Sequence, residues 1–198
     1  DGGWTRNEAG NGLGDWLPKA EVYKDIDLKY IADKIKEKGM IPGIWFEFDA
    51  CFDNAKLVSE DVNNVLCRYG KPAGATYRYF YNFKSERVCS YLTERVKFVY
   101  DMGYRYIKND YNWSIGTGCT NNYDGDSPAE GLIENTNAFY EFIDSLYEKF
   151  PGLIMENCGS GALREDNKTL RRFSLQSTSD QEIYLNNPSI AMGSEAIM

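Results

Sequence analysis

Apolar positions along the chain alternate between two signatures. Leu28, Ile31, Ala32 and Ile35 recur at helical spacing, and Gly39 follows as a stop. Residues 41–48 form a short apolar run that closes on the Glu47 carboxylate and Phe48, which predicts a buried strand. Val88, Leu92, Val96 and Val99 then share one face of a second helix, with Ser85 as its N-cap and Gly103 at its end. A strand follows over 104–110, from Tyr104 to Asp110. A third helix carries Phe139, Ile143, Leu146 and Phe150 and stops at Pro151-Gly152. Strands are predicted over 153–158 and 173–179, and Ile190-Ala191-Met192-Gly193 reads as the start of one more. Three stretches read as irregular. These are the Gly- and Trp-containing segment 1–18, residues 50–84 with a turn at Lys71-Pro72-Ala73-Gly74, and the polar loop 112–128.

Strand and helix alternate, which predicts an α/β fold with parallel strands and crossover helices. Glu47, Asp110, and Glu156 with Cys158 stand at the strands' C-terminal ends. Both (β/α)8 barrels and open parallel sheets gather their ligands there. The pattern yields about five strands, whereas a complete barrel takes roughly 200 to 250 residues or more. Residues 1–198 therefore read as one incomplete (β/α)8 TIM barrel domain, its central strands and helices, truncated at both ends. Such a piece would leave unpaired sheet edges and is expected to aggregate alone.

Composition narrows the chemistry. The 198 residues contain no histidine. Within them Ser-His-Asp and Cys-His pairs, histidine metal ligation and histidine general-base catalysis are excluded. Acid–base work falls to Asp, Glu, Lys, Tyr or Cys. A net charge of −8 argues against nucleic acid as a partner. Aromatic residues make up 15%, and they serve either to stack on sugars or to fill a core. The five cysteines form no CxxC and are widely spaced. That argues against structural zinc, and for reduced thiols and a cytoplasmic setting. No apolar run approaches the ~18 residues of a membrane span.

Lys108 and Asp110 are two apart on a predicted strand and so point to one face. A cation there would hold Asp110 ionised, as a carboxylate nucleophile requires; the same pair could be a structural ion pair. Asp180 follows Ser177-Thr178-Ser179 after a predicted strand. It is either a general acid or the N-cap of a helix beginning near Gln181. Two such carboxylates could flank a glycosidic bond. Cys158-Gly159-Ser160-Gly161-Ala162 is a small-residue turn that lets backbone approach a ligand. A nucleophilic Cys158 lacks a histidine to activate it. Gly116-Thr117-Gly118 is too short a signal for a phosphate loop. The stretch 120–131 fails as a calcium loop because Gly131 stands where a ligating Glu would be.

Taken in order, these motifs resemble the catalytic barrel of the melibiase-type α-galactosidases, glycoside hydrolase family 36. Asp1-Gly2-Gly3-Trp4 and Leu13-Gly14-Asp15-Trp16 resemble the family's DDGW and LGDW stretches. Gly39-Met40 with Gly43-Ile44-Trp45-Phe46-Glu47 resembles its GM-x-x-GLWFEPE strand, and Tyr106 to Asn112 resembles YIKWDMN. Glu156-Asn157-Cys158-Gly159-Ser160-Gly161, with Arg164 and Asp166, resembles E-x-CASGGGR-x-D. Ser179-Asp180 resembles the start of SDNTD, and Met192-Gly193-Ser194 the later MGSH.

The resemblance implies a retaining exo-α-glycosidase acting on terminal α-galactosides through a covalent glycosyl-enzyme. Asp110 takes the nucleophile's place and Asp180 that of the acid/base. Asp1, Trp45, Arg78, Lys108, Cys158, Ser160 and Gly161 would bind substrate. No cofactor or metal is implied. The expected partner is a small oligosaccharide or glycoside, with no nucleic acid and no membrane, and a homo-oligomer could form through regions outside these residues. The chain departs from the family at Gly2 and Asn109, where the family has Asp and Trp. These changes keep related activities in view: an α-N-acetylgalactosaminidase, an α-galactosyl transglycosylase, or a non-catalytic carbohydrate-binding relative.

Overall fold

A computed structural model describes residues 2–5, 12–19, 22–75, 77–116, 118–121, 127–161 and 163–195. Its centre is a four-stranded sheet of β1 (Gly43–Phe46), β7 (Tyr106–Asn109), β8 (Ile154–Asn157) and β9 (Leu175–Gln176). These strands are parallel and adjacent in chain order. Each is shorter than the apolar run that announces it, because flanking residues such as Tyr104, Leu153 and Phe173 are buried without joining the ladder.

The helices that connect the strands begin where polar side chains can cap them. Asp27 accepts from the Tyr30 N–H at 2.6 Å and opens α1 (Leu28–Glu37). Ser85 does the same for α3 (Glu86–Asp101), and Ser127, followed by Pro128, for α4 (Pro128–Lys149). Gly39, Gly103 and Gly152 take positive φ where the chain turns from each helix toward its strand.

Register separates the two faces of the sheet. Phe46, Ile107 and Met155 are buried within the core that contains Val88, Leu92 and Val96 of α3 and Phe142, Ile143 and Leu146 of α4. Trp45, Lys108 and Glu156 are register partners on the opposite face. Most of the large aromatic content serves the core. Trp16 packs against Trp45 and Phe46, Phe46 against Phe48, and Phe48 edge-on against Phe142. Residues near the start, expected only as loop, contribute to that packing: the Trp4 indole donates to the Trp45 carbonyl at 2.8 Å.

Two expectations are corrected. Residues 50–84 are not irregular. They hold β2 (Ala50–Phe52), β5 (Gly74–Ala75) and β6 (Arg78–Phe80) in a three-stranded sheet, and β3 (Cys67–Arg68) pairs with β4 (Lys71–Pro72). α2 (Lys56–Glu60) lies between β2 and β3. The turn between β3 and β4 is Tyr69-Gly70, both at positive φ, as a tight hairpin of this hand requires. Strands of two or three residues carry no readable period. The second correction concerns residues 190–193, which lie in α6 (Asn187–Glu195) and not in a strand; α5 (Asn167–Leu170) precedes β9. A short apolar run has no period that separates strand from helix.

Candidate active site

Asp110 follows the last residue of β7, and its N–H donates to the Phe46 carbonyl at 2.8 Å. Its carboxylate is buried and faces donors. Trp45 Nε1 reaches Oδ2 at 3.1 Å, and the N–H groups of Tyr111 and Ser160 reach Oδ1 at 2.9 and 3.3 Å. Burial alone would raise the Asp110 pKa. Hydrogen bonds from the Asn112 side chain, the Tyr111 N–H, the Cys158 thiol and the Ser160 N–H outweigh it, and the net displacement is downward.

Lys108 is not among the main groups that do this. It lies 3.9 Å from Glu156, its register partner on β8, and Glu156 also accepts from the Tyr106 hydroxyl. Side chains directly across adjacent strands are closer than those two apart on one strand.

The turn after β8 brings the second carboxylate to the first. The Cys158 N–H donates to the Asn109 carbonyl at 2.8 Å and continues the ladder. Cys158 Sγ lies 3.8 Å from Asp180 Oδ1 and also hydrogen-bonds Asp110. Burial pushes the thiol up to about 11, so it acts as a protonated donor at neutral pH. Ser160 sits at φ 46° and Gly161 at φ 96°. A Cβ on Gly161 would stand 2.7 Å from Ser179 Cα and 2.9 Å from the Asp180 nitrogen. The turn thus needs a residue without a side chain for the Asp180 segment to pass. No helix begins at Asp180, which removes the N-cap alternative, and the side chain is exposed. Ser179 Oγ instead accepts from the Gln181 N–H at 2.8 Å.

Several polar residues near the strand ends carry no assigned role in the sequence reading. Glu47, 1% exposed, ion-pairs with Arg78 of β6. It also accepts from the Asn112 N–H at 3.1 Å and from Asn112 Nδ2 at 3.2 Å. Asn112 Oδ1 in turn accepts from Ser160 Oγ at 2.8 Å. Arg164 forms a two-pronged pair with Asp49, at 2.8 and 3.1 Å, and lies over the Tyr111 ring at 3.9 Å and the Phe139 ring at 4.5 Å. These four residues line part of a cavity of about 210 Å³. Glu47 was visible as a strand-end carboxylate, and Asn112 and Arg164 fall inside the quoted motifs, but their partners are remote in sequence. Asp1 lies outside the described residues. Among the described residues, no group of three or more Cys, Asp or Glu is placed to hold a metal ion.

The arrangement presents a buried, hydrogen-bonded carboxylate at the end of a parallel strand, linked through a thiol to a second, exposed carboxylate. This chain belongs to the melibiase family, whose model matches residues 1–198. Among individual proteins, it is 28% identical over 200 residues to an α-galactosidase of Escherichia coli, covering 98% of this chain and 27% of that protein. It is 27% identical over 170 residues to an α-galactosidase of Lactobacillus acidophilus, covering 84% of this chain and 23% of that protein. The chain thus spans about a quarter of the length of these curated relatives. The fold matches the crystal structure of the Lactobacillus brevis α-galactosidase with a TM-score of 0.86 at 20% identity, covering 97% of this chain and 26% of that one. It matches the Geobacillus stearothermophilus family 36 enzyme AgaA at 0.85 and 22%, covering 98% and 28%.

Proposed function

We propose that the protein carrying this chain is a retaining exo-α-glycosidase that hydrolyses terminal α-galactosides. The observation that carries this reading is the environment of Asp110. Its carboxylate is held ionised by converging donors and lies within a hydrogen-bonded side chain's reach of Asp180. Family membership and the α-galactosidase relatives support the substrate class. Structures of the Geobacillus stearothermophilus relative in complex with stachyose and with raffinose support an oligosaccharide as the bound partner.

In this mechanism an Asp110 oxygen attacks the anomeric carbon as the glycosidic C–O bond breaks. Asp180 gives its proton to the departing oxygen. A glycosyl ester on Asp110 results. Asp180, now a carboxylate, takes a proton from water, which attacks the anomeric carbon and frees Asp110. Trp45, Arg78, Lys108, Cys158, Ser160, Gly161 and Asp1 line the sugar subsite in this reading. The Arg78 Nε, buried and without a hydrogen-bond partner among the described residues, supports its share of that role.

The four parallel strands are part of one (β/α)8 barrel in this account, with the Asp110 face of the sheet toward the barrel axis. Cys51, Cys67, Cys89 and Cys158 form no disulfide among the described residues, which supports a cytoplasmic setting. No helix among the described residues is long and apolar enough to cross a membrane.

The test is an assay of aryl α-galactoside and aryl α-N-acetylgalactosaminide side by side, in the full-length protein, with Asp110→Ala as control. Turnover of the galactoside that is lost in the control supports the reading. Preference for the acetamido sugar moves the substrate, and binding without turnover ends the enzymatic reading.

A further inference from the structure

Glu47 is a buried carboxylate just past the C-terminal end of β1, and its side-chain partners among the described residues, Arg78 and Asn112, both lead into the site. Arg78 comes to it from the antiparallel insertion, and Asn112 comes to it twice from the loop after Asp110. Their donors offset the cost of burying the charge.

The consequence reaches Asp110 through the Asn112 amide. Glu47 Oε2 can only accept, so the Asn112 NH2 must point toward it. That leaves Asn112 Oδ1 to accept from Ser160 Oγ, which it does at 2.8 Å. An amide held this way fixes the Ser160 turn, whose N–H reaches Asp110 Oδ1 at 3.3 Å, and the Asn112 side chain also helps to hold the Asp110 pKa down. Turned over, the same amide would aim its oxygen at carboxylates.

We propose that Glu47 is a positioning residue: it locks the Asn112 amide in the orientation that holds the Ser160 turn, and with it the Ser160 N–H, against Asp110, and it seats Arg78 at the edge of the same site. Glu47 need not touch the substrate. This inference rests on the assignment of Asp110 as nucleophile, and the two can be separated by experiment.

The experiment is a double-mutant cycle in the full-length protein, using wild type, Glu47→Gln, Asn112→Ala and the double variant. Melting temperature is recorded for each, kcat/KM is measured with an aryl α-galactoside, and galactose affinity is measured by calorimetry. Glu47→Gln alone is expected to lower kcat/KM about 30-fold, but less than about 3-fold when added to Asn112→Ala. A purely structural Glu47 would lower the melting temperature and give additive losses, and additivity would overturn the proposal. The cycle read in galactose affinity needs no turnover. An Asp110→Ala variant with the wild-type rate would end the nucleophile assignment while the coupling between Glu47 and Asn112 could still be read. Wild-type protein that neither binds galactose nor turns over the galactoside would overturn both.

Discussion

The Cys158 side chain lies between the two carboxylates of the site: its sulfur is 3.8 Å from Asp180 Oδ1 and also within hydrogen-bond reach of Asp110, so its single S–H donates to one or the other. The two aspartates are 70 positions apart in sequence, yet one buried side chain reaches both. A thiol pushed up to about 11 keeps its proton at neutral pH and is poorly reactive as a nucleophile. In the proposed mechanism Cys158 therefore supports the carboxylates and takes no part in bond making.

Replacement of that donor should be felt in the rate. Cys158→Ala is expected to lower kcat/KM by about tenfold, the worth of a hydrogen bond to a charged group, and Cys158→Ser to recover part of the loss. Steady-state kinetics of the two variants check this, and equal rates for Ala and wild type would remove the thiol from the account.

The pH profile reports the Asp110 donors. Asp110 has a folded-state pKa below that of a free aspartate. Its contribution to stability is thus present above the unfolded value of about 3.9 and is lost as pH falls through the lower folded value. Asn112→Ala removes a donor to the charged form, so the Asp110 pKa should rise. The acid limb of kcat/KM is expected to move to higher pH in that variant. A limb that stays in place would assign it to another group.

Sequence and structure agree where local physics decides the outcome. The α1, α3 and α4 helices were readable because their apolar residues keep one face at helical spacing, with glycine at the ends. β1, β7 and β8 were readable because each apolar run is bracketed by such a helix. The insertion between β1 and α3 was not readable, since its pairings, Ala50 with Phe80 for example, rest on contacts between two- and three-residue strands. α6 was misread because its apolar residues make too short a run to show a period.

At the site, Asp110 and the Cys158 turn stood out through motif and strand-end position. The partner of Lys108 did not, because it is set by the register of β7 on β8 and not by the residue two places along its own strand. Glu47 was equally opaque: its partners Arg78 and Asn112 stand 31 and 65 positions away.

Gly161 offers a test of how Asp180 is delivered. With φ at 96° and the Ser179 backbone 2.7 Å from where a Cβ would stand, Gly161→Ala must displace the Asp180 segment. kcat is expected to fall at least about tenfold, with a smaller effect on ground-state galactose binding. Equal losses in kcat and in galactose affinity would place the damage in the sugar subsite.

The isolated residues 1–198 should associate in solution. Among the described residues β1 and β9 each have a sheet neighbour on one side only, and Val22, Ile26, Met40 and Ile41 are each at least half exposed. Light scattering that rises with concentration is expected, and a monomer with one sharp thermal transition would contradict it.

The most direct measurement of the central claim is the identification of the covalent intermediate. The full-length protein would be incubated with an activated 2-deoxy-2-fluoro α-galactoside, and its proteolytic peptides would be sequenced by mass spectrometry. A fluorosugar ester on Asp110, absent from the Asp110→Ala protein, is the predicted result. An ester on another carboxylate, or turnover of the galactoside by Asp110→Ala at the wild-type rate, would contradict it.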